Sequence, residues 1–247
     1  YQVDRKNQGA AASTVNWELS TLSKIFNTLM EIQYVDANPA RMVKRLSTRE
    51  EEREVYLGFS DVNAMVELCP PWVRPIVLTG YYTGMRRGEV LGLTWKQVNL
   101  STRVVRLGPQ DTKEGRRKRV PLRLEVIEIL ERSRRVRSQA TGRVFLIDGR
   151  PPNKESIKNP WRKSCQALDL LDPRPRFHDL RHTWRANARR SGVDPVIAET
   201  ILGHWHRQRS VNERYGRISD VEMLKAVDSM VFDNGMTEII VDNKRRQ

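Results

Sequence analysis

The chain has 247 residues, with 44 Lys and Arg against 30 Asp and Glu and a formal net charge of +14. That length accommodates one large domain or two modest ones. The charge excess points to a polyanionic partner, because each phosphate neutralised by Lys or Arg releases condensed counterions. Cys69 and Cys165 lie far apart and outside any CxxC spacing. That argues against a disulfide framework and makes a reducing, cytoplasmic setting the expectation. No apolar run reaches the length of a membrane span, and residues 1–6 lack a signal-peptide hydrophobic region. A start on Tyr1 rather than Met reads as a fragment or processed product.

Taken in chain order, residues 14–34 read as an amphipathic helix. Val15, Leu19, Leu22, Phe26 and Leu29 recur at three- and four-residue steps, with Ser13 or Thr14 as the expected N-cap. Asn38-Pro39 ends that region, and the charged, unpatterned stretch Arg45–Arg53 reads as a linker. A second block starts near Leu57, with a helix from Ser60-Asp61 through Leu68. Residues 74–92 predict helix, turn, helix, punctuated by Thr83-Gly84. Short strands are expected at 103–107 and 117–122, joined by a polar hairpin. Helices follow at 123–138, 153–168, 179–191, 194–202 and 219–231. The tail Glu238–Asp242 reads either as a short strand or as a packing arm. The expected fold class is mainly α with a small antiparallel β-sheet (α+β).

The residues that carry chemistry concentrate late in the chain: His178-Asp179-Leu180-Arg181-His182, Leu202-Gly203-His204 and Glu213-Arg214-Tyr215. Upstream, Thr83-Gly84-Met85-Arg86-Arg87-Gly88-Glu89 supplies a further arginine, and Asp111-Thr112-Lys113-Glu114-Gly115 a lysine in a turn. An arginine fork matches two phosphate oxygens at once, and two forks stabilise a pentacoordinate phosphorus. Histidine and lysine move protons, and a tyrosine helped by them attacks phosphorus. Taken singly, each has a plainer reading: a surface arginine, a solvated hairpin lysine, a buried aromatic. The i, i+4 pair His178 and His182 is spaced as in the H-E-x-x-H zinc pattern, but the acid is Asp179 and Arg181 directly precedes His182, which argues against a metal.

In order and together, these boxes resemble the tyrosine recombinases, also called phage integrases. Thr83–Glu89 followed by Leu91-Gly92-Leu93-Thr94-Trp95 is similar to that family's first arginine box. Asp111–Gly115 ahead of Val120-Pro121-Leu122 resembles its catalytic-lysine hairpin. His178–His182, Leu202–His204 and Glu213–Tyr215 resemble its remaining boxes, and residues 14–46 its core-binding domain's last helix and exit. The resemblance implies the tyrosine recombinase catalytic-domain fold and four parts. These are a core-binding fragment (1–46), a linker (47–56), the catalytic domain (57–231) and a C-terminal arm or tail (232–247).

It also implies roles. Arg86 and Arg181 clamp the scissile phosphate, and Tyr215 attacks it to give a 3′-phosphotyrosyl link. Lys113 protonates the leaving 5′-oxygen, and His178 accepts the tyrosine proton or positions the phosphate. His204 hydrogen-bonds a non-bridging oxygen, while Glu89 and His182 support the site. No cofactor, metal or ATP is implied. The implied partner is double-stranded DNA, bound as a homotetramer on paired sites in the full-length protein, with the fragment alone monomeric and no membrane involved. A phage or other mobile element is the implied source. Two rivals stand beside this expectation: relaxation of DNA by a type IB topoisomerase-like enzyme, and a DNA-binding remnant without strand exchange.

Overall fold

The computed structural model describes residues 1–48, 53–135, 142–170, 174–204, 218–232 and 238–241. They divide into two units, one holding Tyr1–Arg53 and Ile240–Gln247, the other Glu54–Ile239.

In the first unit a short helix α1 (Gln2–Asn7) precedes α2 (Ala12–Glu31). The sequence reading had not anticipated α1. It also misplaced the cap: Ala11, in extended conformation, precedes the first turn, so Ser13 and Thr14 already lie inside α2. Val15 and Leu19 form the buried stripe expected from their spacing, while Leu22, Phe26 and Leu29 are half-buried. Two asparagines fold the following chain back along α2. The Asn38 amide donates to the Ser23 carbonyl (2.9 Å) and to Asn27 (2.8 Å). Asn16 exchanges two 2.9 Å bonds with the backbone of Leu46. An amide side chain suits this task because it donates and accepts at once.

The second unit contains α3 (Phe59–Glu67), α4 (Val73–Thr83), α5 (Arg87–Leu91), α6 (Leu124–Arg135), α7 (Lys154–Ala167), α8 (Asp179–Arg190), α9 (Pro195–Leu202) and α10 (Asp220–Asp228). Strands β1 (Arg53–Tyr56) and β5 (Glu238–Val241) form a two-stranded sheet, so residues 238–241 of the tail are a strand. β2 (Val98–Asn99), β3 (Val104–Leu107) and β4 (Lys118–Pro121) form a three-stranded antiparallel sheet in that order. Its register pairs Val98 and Val120 with Val105, and Lys118 with Leu107. The architecture is therefore mainly helical with a small antiparallel sheet, and the predicted elements recur with shifts of one to a few residues at their ends.

Helix α4 forms the centre of this unit. It is buried on every side from Ile76 to Thr83, as a helix must be when its apolar residues run all round. Gly80 lets α8 approach: a Cβ there would stand 2.9 Å from the Phe177 ring. One apolar cluster gathers α3, α4, α6, α7 and the sheet, while a second joins Trp184 of α8 to Ile201 and Leu202 of α9 and Met223 and Val227 of α10. Arg119 of β4 and Arg123, just beyond that strand, secure both ends of α10. Arg119 bonds the Ile218 carbonyl (2.6 Å) and Asp220 (2.5 Å), and Arg123 bonds the carbonyls of Val227 (2.6 Å) and Met230 (2.7 Å). Cations on terminal carbonyls complement the negative end of a helix. Among the described residues no helix is long and apolar enough to cross a membrane.

Candidate active site

Arg181 lies in the first turn of α8 and is buried, with about 4 % of its surface exposed. Its guanidinium donates to the Gly84 carbonyl at the end of α4 (2.9 Å) and to the Leu202 carbonyl at the end of α9 (2.7 Å). Helix ends leave such carbonyls without intrahelical partners. Two helix C-termini therefore converge on one cation, which fixes its position without a carboxylate in contact among the described residues. The same terminal nitrogen lies 2.8 Å from His204 Nε2. Burial, and next the charge of Arg86, push the Arg181 guanidinium down to about 10.

Arg86 sits in extended conformation just before α5. Glu89, one turn on, accepts from the Arg86 backbone N–H (3.0 Å) and from its guanidinium (3.1 Å). Glu114 of the β3–β4 hairpin takes the rest of the fork with two bonds of 3.0 and 2.6 Å. Behind this pair lies a residue the sequence reading passed over. Lys118 Nζ bonds Glu89 Oε2 at 2.7 Å, and both side chains are about 2 % exposed. Desolvation lowers the Lys118 ammonium to about 8, against the pull of Glu89 and with some help from Arg181. Burial alone would raise the Glu89 carboxyl, but Lys118 and Arg86 outweigh it and the net direction is down. Strand alternation was the available signal: Lys118 shares the core face with Val120, while Arg119 points the other way. Lys113, the expected proton donor, is exposed in the hairpin turn, next to Glu114.

His204 follows Gly203, which ends α9 in the left-handed region at φ 74°. His204 N–H bonds the Glu199 carbonyl (2.9 Å) and Gly203 N–H the Thr200 carbonyl (3.1 Å). This paired pattern is the Schellman motif, and it turns the chain back against the last helical turn. The ring consequently meets the Glu199 side chain, with Nδ1 2.6 Å from Oε2. Glu199 also pairs with Arg185 at 2.7 Å. Burial, with Arg181 beside it, lowers the His204 imidazole despite the opposing effect of Glu199.

His178 immediately precedes α8. Its ring lies edge-on to that of His182, with centroids 5.0 Å apart at 83°. Partial burial of the ring, with His182 and Arg181 nearby, lowers its affinity for a proton, although much of the residue stays open to solvent. Among the described residues no group of three or more His, Cys, Asp and Glu is placed to hold a metal. Tyr215 falls outside the described residues, but both flanks are fixed in the same unit: His204 by the Glu199 contacts and Ile218 by Arg119.

The structure thus gathers Arg86, Glu89, Arg181 and His204, sets His178 beside them, and leaves Lys113 at the rim. A family model described as the phage integrase family matches residues 55–232. The chain belongs to that family. It is 27% identical over 235 residues to the shufflon-specific DNA recombinase of Escherichia coli, covering 91% of this chain and 56% of that protein. To the ICEBs1 integrase of Bacillus subtilis it is 23% identical over 249 residues, covering 90% and 66% respectively. The chain therefore spans little more than half to two thirds of these relatives. Among solved structures, a lambda integrase tetramer bound to a Holliday junction shares the fold, with a TM-score of 0.65 at 17% identity, over 83% of this chain and 62% of that one.

Proposed function

We propose that this chain is the catalytic part of a site-specific DNA recombinase or integrase, encoded by a phage or other mobile element and acting in the cytoplasm on double-stranded DNA. In this reading the Tyr215 oxygen bonds to phosphorus as the bond to the 5′-oxygen breaks. Arg86 and Arg181 hold the charge that builds on the non-bridging oxygens, helped by His204. His178 receives the tyrosine proton, and Lys113 supplies one to the leaving oxygen. Lys113 suits that task better than Lys118, whose ammonium is enclosed against Glu89. The covalent link conserves the energy of the broken bond, so rejoining needs no nucleotide cofactor. Residues 1–46 would supply part of a core-binding domain, and 232–247 an arm that packs between neighbours in a tetramer on paired sites. The observation that carries this reading is the buried Arg181, anchored by two helix ends beside Arg86 and His204.

The test is a covalent adduct on labelled nicked duplexes, selected from a randomised library by adduct formation with the parent chain. The parent is expected to form an adduct that survives denaturation, and Tyr215→Phe none. An adduct that persists in Tyr215→Phe would remove Tyr215 from the mechanism, and no adduct from any duplex would overturn the strand-cleavage reading. DNA binding is separately expected to weaken with salt. About four phosphate contacts would give roughly a hundredfold loss over a fourfold rise in salt concentration. A flat response in a fluorescence-anisotropy titration would exclude an extended backbone footprint.

A further inference from the structure

The contact between Glu199 and His204 has no counterpart in the motif reading, where His204 stands alone after Leu202-Gly203. Hydrogen-bond chemistry assigns its direction. An arginine N–H can only donate, so His204 Nε2 accepts from Arg181. A carboxylate accepts, so Nδ1 of the neutral ring carries the proton toward Glu199. The backbone imposes the encounter: the Schellman turn at Gly203 brings residue 204 onto residue 199. That turn ordinarily joins two apolar side chains at these positions, and here it joins a carboxylate and an imidazole.

We propose that Glu199 is a positioning residue for strand cleavage, holding the proton on His204 Nδ1 so that any proton the ring gains or gives passes through Nε2, the nitrogen beside Arg181. The inference rests on the proposed function for the reaction it serves, but the hold on the ring is a property of the chain alone. With Nδ1–H committed to Glu199, a phosphate oxygen arriving at Arg181 meets Nε2. One added proton there makes His204 a donor to that oxygen, and the carboxylate stabilises the resulting imidazolium. With the opposite tautomer the ring would present Nε2–H to the Arg181 N–H, donor against donor, and lose its partner at Nδ1.

The alternative is that Glu199 serves only as a surface partner of Arg185, whose side chain is 58 % exposed. Imidazole nitrogen shifts of His204 in the labelled 247-residue chain separate the two. The parent and Glu199→Gln are expected to keep the Nδ1–H tautomer at high pH, because the Gln carbonyl still accepts. Glu199→Leu is expected to leave Arg181 alone in opposing the Nε2–H form, to raise the share of that tautomer and to slow adduct formation by at least about tenfold, with Glu199→Gln closer to the parent and Arg185→Met unchanged. The inference is overturned if Glu199→Leu leaves the tautomer as in the parent, if its adduct forms at the parental rate, or if Arg185→Met alone reproduces both effects. A parent that forms no adduct removes the cleavage reading, and the proposed catalytic role of Glu199 with it. The ring signals would then still report whether Glu199 fixes the tautomer.

Discussion

Arg181→Lys is expected to slow adduct formation by about 10²–10³-fold, the effect of losing one directed donor at a developing oxyanion. The ammonium keeps the charge but not the fork. It cannot reach the Gly84 and Leu202 carbonyls together while also facing His204 and a phosphate, and a buried carbonyl left without a donor costs about 1–3 kcal/mol. A net destabilisation of about 2 kcal/mol would lower the melting temperature by roughly 4–8 °C for a domain of this size. Calorimetry beside the adduct assay checks both parts. A variant of unchanged melting temperature and near-parental adduct rate would show that charge alone suffices at this position.

Gly84→Ala is expected to give the largest loss of stability. Its φ of 62° is left-handed, which costs a residue with a side chain about 1–2 kcal/mol. The added Cβ would also stand 2.8 Å from Leu202 Cδ2 and 3.0 Å from the fully buried Trp184 ring. Overpacking of this kind adds about 1–3 kcal/mol. Together they predict a melting temperature lower by on the order of 10 °C, and the shift would move the Gly84 carbonyl that holds Arg181. Gly88→Ala is the contrast, because nothing lies within 4 Å of a Cβ there and alanine suits α5 better. It is expected to leave the melting temperature unchanged or slightly raised. Equal losses in both variants would refute the steric account.

Those two glycines show what a motif can and cannot carry. The run Thr83–Glu89 locates the helix junction and Arg86, since a turn glycine between two apolar stretches is legible from composition. Which glycine is indispensable depends on Trp184 and Leu202, residues a hundred positions or more away, and no local pattern contains them. The helices of the second unit were legible because their buried faces repeat at helical spacing. α1 was not, having no buried residue to mark it. Lys118 was legible as a core-facing lysine from the alternation of β4, but its pairing with Glu89, 29 positions away, was not. Glu199 left no such trace. Its side chain matters only because Gly203 turns the chain back, and that depends on a backbone angle rather than on a residue pattern.

Arg86 is not an empty receptor, because Glu114 fills its fork with a planar anion of matching bite. A phosphate that takes this fork must evict a carboxylate, so the free energy of capture is the difference between two ion pairs rather than the whole of one. Halide ions from solution, with no pair of oxygens to offer, compete poorly for a fork so occupied. The evicted residue belongs to the hairpin turn and is the neighbour of Lys113. Loading the arginine with phosphate therefore also breaks the contact that ties the lysine's turn to Arg86.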